Sequence, residues 1–98
     1  MLLSTNLIDT LGLHSRQRKS LMMSPAQCRA ARGLLQWTQA YLAEVAGLGV
    51  STVADFELER REVSEAALSS IKKALEVGGV IFVYENGQGE GVRRRKNK

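Results

Sequence analysis

The stretch Gln39–Phe56, which reads QAYLAEVAGLGVSTVADF, decides the fold of the chain. Its apolar residues recur at three- and four-residue spacing on either side of Gly47, which predicts two short helices joined by a turn. Thr38 is a capping residue for the first of these helices, and Gly47 ends it because glycine readily adopts the left-handed backbone of such a turn. Two short helices joined in this way form a helix-turn-helix. The apolar positions are Tyr41, Leu42, Val45 and Ala46 before the turn and Val50, Val53, Ala54 and Phe56 after it.

Two further helices flank this unit. Ser24, followed by a proline and then by Gln27, has the pattern of a capped helix start, and the apolar spacing that follows predicts a helix from Pro25 to about Leu35. Ser64 caps a fourth predicted helix, which runs from Glu65 to about Val77 and stops at two glycines. The expected fold is therefore mainly α, with four helices around one core.

The C-terminal part of the chain has a β pattern. Residues 80–84 are β-branched or aromatic, residues 85–91 are rich in glycine, and residues 92–95 form a second short extended segment. This pattern predicts a short C-terminal β-hairpin or a single β-strand. We expect a flexible N-terminal extension over residues 1–23, a helix-turn-helix domain over 24–77, and a β segment with a basic tail over 78–98.

Composition argues against several functional classes. The chain has 98 residues, 44% of them hydrophobic and 24% charged, which is typical of one globular domain. No apolar run has the length of a signal peptide or a membrane span, so we expect a cytoplasmic protein, bacterial or phage-encoded, with no membrane partner. An organellar transit peptide over residues 1–19 is the less favoured alternative.

Catalytic and metal chemistry find little support in the sequence. The single cysteine, Cys28, lies on the apolar side of the first predicted helix, and the one histidine, His14, lies in the extension with no partner near it. We therefore expect no metal site, no cofactor, no small-molecule ligand and no catalytic residues, because no zinc-ligand set, nucleophile with a base, or phosphate-binding loop is present. The chain is not expected to be an enzyme.

Positive charge is concentrated at the two ends of the chain. The net charge is +4, yet residues 24–83 contain six Lys or Arg against seven Asp or Glu. Because sequence-independent affinity for DNA scales with the number of phosphates neutralised, the tails should supply much of any attraction. Arg93, Arg94 and Arg95 are candidate phosphate ligands, and the alternative is that this tail only keeps a frayed end solvated.

The motif resembles the Cro/C1-type helix-turn-helix family, also called the xenobiotic-response-element (XRE) family. The resemblance covers residues 24–77 and rests on CRAARGLLQWTQ over residues 28–39, on Leu42-Ala43 followed by Gly47, and on STVADFE over residues 51–57. It implies a recognition helix over about residues 50–57 that enters the major groove. It also implies a structural ion pair between Arg32 and Glu57. The alternative is that both residues are solvated charges at the surface.

Candidate DNA contacts follow from the same resemblance. Base-reading positions fall on Val50, Ser51 and Asp55, with Thr52 placed for a base or a phosphate. Val50 can contact a thymine methyl, Ser51 can donate or accept, and Asp55 can accept from cytosine N4 or simply lie on the helix surface. The phosphate candidates nearer the motif are Thr38, Gln39, Arg60 and Arg61, although Leu58 and Glu59 replace the glycine common in that loop and leave its path open.

These residues predict a transcriptional regulator that binds duplex DNA in a sequence-specific way. The simplest form is a repressor acting as a homodimer, with Val80–Tyr84 as the preferred dimer segment because an isolated hairpin is marginal in water. The alternative is a protein-interaction module of the same fold, such as an antitoxin-like protein or an adaptor, since the central domain is nearly neutral.

Overall fold

The computed structural model describes residues 22–96 and contains four helices followed by a two-stranded antiparallel sheet. The predicted fold class is confirmed, and the C-terminal β segment is a hairpin. The predicted N-terminal extension, residues 1–23, lies outside the described residues except for its last two. None of the described helices is long and apolar enough to cross a membrane. The elements are α1 (Pro25–Leu35), α2 (Gln39–Ala46), α3 (Val50–Glu57), α4 (Glu65–Gly78), β1 (Val80–Val83) and β2 (Gly91–Arg94).

Side-chain caps begin three of the helices. Ser24 Oγ accepts from the backbone of Gln27 at 3.1 Å, and Gln27 Oε1 accepts from the backbone of Ser24 at 2.9 Å, which completes a capping box at α1. Thr38 caps α2, and Ser64 caps α4 by accepting from the amide of Ala67 at 3.1 Å. These caps satisfy amides that have no partner within the helix, so each helix begins where the sequence predicts.

Left-handed residues end α1 and α2. Gly47, at φ 74°, follows α2 as the sequence predicts, whereas α1 ends at Gln36, a non-glycine residue at φ 59°. The amide of the next residue, Trp37, returns to the carbonyl of Arg32 at 3.0 Å, which is the hydrogen bond of a Schellman motif. The chain therefore turns sharply from α1 into α2.

All four helices and the hairpin contribute to one core. Val53 and Phe56 anchor α3 in it, and Leu42 and Ala43 do the same for α2. Trp37 packs against the end of α4, where Gly78 leaves space for the indole ring. The buried apolar residues are Met23, Cys28, Ala31, Leu42, Ala43, Val53, Phe56, Ile71, Ala74, Leu75, Val80 and Phe82.

The hairpin belongs to this core as well. Val80 and Phe82 are buried, while Ile81 and Val83 on the other face of β1 are half-buried. Gln27 Nε2 donates to the carbonyl of Val83 at 3.0 Å and to that of Gly91 at 2.9 Å, so one side chain joins the start of α1 to both strands. This long-range contact fixes the hairpin on the helices.

Candidate nucleic-acid interface

The N-terminal end of α3 presents an exposed face. Val50 is 49% exposed, Ser51 is exposed and Thr52 is half-buried, whereas Val53 and Phe56 on the opposite face are buried. Gly49 occupies the N-cap position and provides no side-chain hydrogen bond to the helix. Three of the four predicted base-reading residues thus lie together on the first turn of α3, with two of them open to solvent.

The predicted phosphate ligands at the start of α2 have different surroundings. Thr38 is exposed, and its Oγ1 accepts from the amide of Tyr41 at 3.0 Å, so the side chain is the helix cap. Gln39 Nε2 donates to Glu57 Oε1 at 3.0 Å. The Gln39 side chain is therefore engaged inside the protein, which the sequence pattern did not indicate.

A buried carboxylate fixes α3 to α1. Glu57, only 1% exposed, receives Arg32 Nε at 2.7 Å on Oε2 and Arg32 Nη2 at 2.8 Å on Oε1. This two-point pairing is the strong form of an arginine–carboxylate contact because both oxygens meet the planar guanidinium. Cys28 Sγ donates to Oε2 at 3.1 Å. Together with Gln39, these donors satisfy a charge that would otherwise be costly to bury.

Opposing effects act on the titration of this cluster. Burial alone would raise the pKa of the Glu57 carboxyl, but the hydrogen bonds from Arg32, Gln39 and Cys28 outweigh it and hold the pKa below its ordinary value. The hydrogen bond to Glu57 in turn raises the pKa of Arg32. Burial, followed by the nearby Glu57 carboxylate, raises the pKa of the Cys28 thiol strongly. The cluster is therefore an ion pair beside a neutral thiol at neutral pH.

Main-chain acceptors extend the same cluster. Arg29 Nη1 donates to the carbonyl of Glu57 at the end of α3, and Arg32 Nη1 donates to the carbonyl of Trp37 at 3.0 Å. Two arginines one turn apart on α1 thus hold the end of α3 and the turn before α2. The sequence gives no sign of this contact of Arg29, because its partner is a main-chain carbonyl 28 residues later in the chain.

The segment after α3 folds back on the helix. Glu59 takes a left-handed backbone at φ 56°, and the amide of Arg60 bonds the carbonyl of Asp55 at 2.9 Å, so α3 ends in a Schellman motif formed without glycine. As a result Arg61 Nε lies 2.8 Å from Asp55 Oδ2, and Arg60 Nη1 lies 3.3 Å from Asp55 Oδ1. Asp55, Arg60 and Arg61 form one group, which we call the Asp55 cluster.

The arginines of the C-terminal segment lie near the ends of other helices. Arg94 Nη1 donates to the carbonyl of Leu34 near the end of α1, and Arg95 Nη2 donates to that of Glu76 near the end of α4. Helix C-termini attract cations, so both contacts are favourable. Arg93 is exposed on β2, opposite Ile81 of β1. No three His, Cys, Asp or Glu side chains within residues 22–96 are grouped as metal ligands.

The geometry of α2 and α3 agrees with the sequence comparison. A family model described as helix-turn-helix matches residues 29–82, which is more than half of the chain. The chain belongs to the Cro/C1-type helix-turn-helix family. No curated protein matches it. As a Cro/C1-type domain it is a DNA-binding regulatory module, and the family is not typically enzymatic. In the helix-turn-helix, α2 is the first helix and α3 is the second.

Proposed function

We propose that this Cro/C1-type protein is a cytoplasmic transcriptional repressor that binds a specific duplex DNA site as a homodimer. The first turn of α3 enters the major groove, where Val50 contacts a thymine methyl and Ser51 bonds a base edge. Thr52 and the exposed end of α2 at Thr38 lie against the sugar-phosphate backbone. Repression follows from occupying a site that the polymerase needs.

The observation that carries this proposal is the rigid mounting of α3. Its outward residues Val50 and Ser51 are exposed, while Glu57 at its other end is buried and bonded to Arg32 by both oxygens. Reading base edges requires side chains held at fixed positions by supporting contacts. A helix fixed by a buried ion pair at one end and open to solvent at the other meets this requirement.

Fluorescence anisotropy on labelled duplexes tests the proposal. We would compare DNA from upstream of the protein's own gene, and sites enriched from a random pool, with scrambled duplexes of the same composition. Wild-type protein should prefer one sequence, with an affinity that falls as salt rises. Ser51→Ala should lower the preference by roughly fivefold, the equivalent of about 1 kcal/mol for one hydrogen bond.

The matched control is Ser69→Ala, which makes the same chemical change at an exposed position of α4. It should leave both the affinity and the preferred sequence as in the wild type. An equal affinity of the wild-type protein for enriched and scrambled duplexes would contradict sequence-specific binding.

The proposed dimer contact lies on β1, but only one face of that strand is available for it. Val80 and Phe82 are part of the core, so their side chains are unavailable to a second copy, and deleting residues 80–98 would damage the fold itself. We assign the contact to the outer face of β1, at Ile81 and Val83. Light scattering on Ile81→Arg should show a monomer with an unchanged helix content by circular dichroism, whereas Lys73→Glu, on an exposed part of α4, should remain a dimer.

A second candidate is a protein-binding module of the same fold. It is favoured by exposed apolar side chains at both ends of α3, with Val50 at 49% and Leu58 at 55% exposure. Binding to a purified partner protein that is lost in Val50→Asp, with no sequence preference for DNA in the wild type, would favour this candidate over the repressor.

A further inference from the structure

The two arginines that follow the recognition helix are held by a carboxylate of that same helix. Arg61 Nε lies 2.8 Å from Asp55 Oδ2 and Arg60 Nη1 lies 3.3 Å from Oδ1. We propose that Asp55 is a positioning residue that limits sequence-independent DNA binding, because it retains the Arg60 and Arg61 guanidinium groups on α3. This inference rests on the proposed docking of α3 on DNA, since it concerns charges at the end of that helix.

The local backbone makes this retention possible. Arg60 and Arg61 come five and six residues after Asp55, a spacing at which a continuing helix would turn them away from it. The left-handed Glu59 reverses the chain instead, and the amide of Arg60 bonds the Asp55 carbonyl at 2.9 Å. The backbone and the side chain of Asp55 therefore bond the same segment, and the reversal of the chain brings both arginines within reach of the carboxylate.

Exposure within the Asp55 cluster is uneven. The Asp55 side chain is 18% exposed, whereas those of Arg60 and Arg61 are 60% and 52% exposed. The carboxylate is thus covered by its own arginines, which leaves little of it to accept from a cytosine amino group. The guanidinium groups are at the surface, where phosphate oxygens of DNA would compete with Asp55 for the same donors.

Charge explains why this competition limits affinity. Binding to random duplex DNA strengthens with each phosphate that a Lys or Arg neutralises. Two arginines paired with one carboxylate carry a net charge of +1 in place of +2, and each must exchange an existing partner for a phosphate. A helix-turn-helix with less general attraction for phosphates depends more on the base contacts of Val50 and Ser51.

The test measures the salt dependence of binding to a random-sequence duplex, which requires no knowledge of the preferred site. We would compare the wild type with Asp55→Asn, which removes the charge and keeps the shape. If both arginines become available, the slope of log affinity against log salt should steepen by between about one and two units. As salt is lowered from about 200 to about 50 mM, the ratio of the Asp55→Asn affinity to the wild-type affinity should therefore increase by up to about tenfold.

Three controls separate positioning from a general effect of charge. Glu44→Gln removes one negative charge from an exposed position of α2 that forms no ion pair within residues 22–96, and it should leave the slope unchanged. Asp55→Glu keeps a carboxylate within reach of the arginines and should retain the wild-type slope. Asp55→Asn in a protein that also carries Arg60→Gln and Arg61→Gln should gain nothing over that double variant.

Each outcome decides the matter. The inference is supported if the slope is steeper in Asp55→Asn while Glu44→Gln and Asp55→Glu keep the wild-type slope. An unchanged slope, a weaker affinity, or a gain that persists without the two arginines overturns it, as does a failure of Asp55→Asn to bind random duplex even at low salt. Asp55→Ser provides a second neutral variant if Asp55→Asn does not fold. The repressor proposal fails separately, through the absence of any preferred sequence in the wild type.

Discussion

Replacing Arg32 with methionine tests the role of the buried ion pair. Arg32→Met removes both guanidinium hydrogen bonds to Glu57 and leaves that carboxylate, 1% exposed, with only Gln39 and Cys28 as side-chain donors. Methionine retains much of the apolar stem, so the change acts mainly on charge and hydrogen bonding. The free energy of unfolding should fall because a buried charge loses its counterion.

The structure sets the size of this loss. Breaking a buried pair by removing one partner costs about 3–5 kcal/mol. The Arg32 side chain is itself 21% exposed, so some water can reach the vacated space and the loss should lie near the lower limit. A loss of about 3 kcal/mol is large against the roughly 5–15 kcal/mol by which small domains are stable.

Urea denaturation followed by circular dichroism measures this loss, with Arg61→Met as the matched control. Arg61 also bonds a carboxylate by Nε at 2.8 Å, but its side chain is 52% exposed, so its removal should cost at most about 1 kcal/mol. Adding Glu57→Gln to Arg32→Met should recover part of the loss, since the unpaired charge is then gone. If Arg32→Met is destabilised no more than Arg61→Met, the buried pair does not hold α3 and our reasoning is wrong.

Two backbone positions and one carboxyl group give further predictions. Glu59→Gly should raise the free energy of unfolding by about 1 kcal/mol in urea, because glycine adopts the φ of 56° without strain; a loss would contradict this. Gly78→Ala should lower it by about 1–3 kcal/mol, since the new Cβ would lie 2.7 Å from Trp37 Cη2; an unchanged thermal midpoint would show that the indole ring can move. Because folding lowers the pKa of Glu57, this carboxylate stabilises the folded state. Its contribution is complete above about pH 4.5, the ordinary pKa of a glutamate, and is lost as the pH falls through the folded-state pKa. Urea midpoints of the wild type should therefore decline more steeply with acid than those of Glu57→Gln.

Features that depend on near neighbours in the sequence were predictable. The caps at Ser24, Thr38 and Ser64 each bond an amide three residues away, and the left-handed turn at Gly47 has a glycine to mark it. The four helices and the hairpin followed from such signals and from apolar periodicity. The helix-turn-helix and its family were identified for the same reason.

Contacts between distant residues were mostly not predictable from the residues themselves, and the Arg32–Glu57 pair was expected only because the motif resembles a known family. Gln27 was recognised as a capping residue, but nothing in the sequence indicates that its amide reaches the hairpin 56 residues later. One feature between near neighbours was also missed: Glu59 is not a glycine and gives no sign of a left-handed backbone, so the approach of Arg60 and Arg61 to Asp55 was not predicted. The base-reading role of Val50, Ser51 and Thr52 remains a prediction, since it requires DNA.

The buried thiol of Cys28 makes the protein its own reporter of unfolding. Alkylation requires the thiolate, which attacks the reagent as a nucleophile, whereas Cys28 is fully buried with a raised pKa and donates to Glu57 at 3.1 Å. Labelling must therefore wait until α1 and α3 separate. Because Cys28 is the only cysteine in the sequence, the rate of iodoacetamide modification gives the frequency of that opening without an added probe. DNA that binds only the folded protein should slow this modification, and the rate should fall in proportion to the fraction of protein bound to DNA.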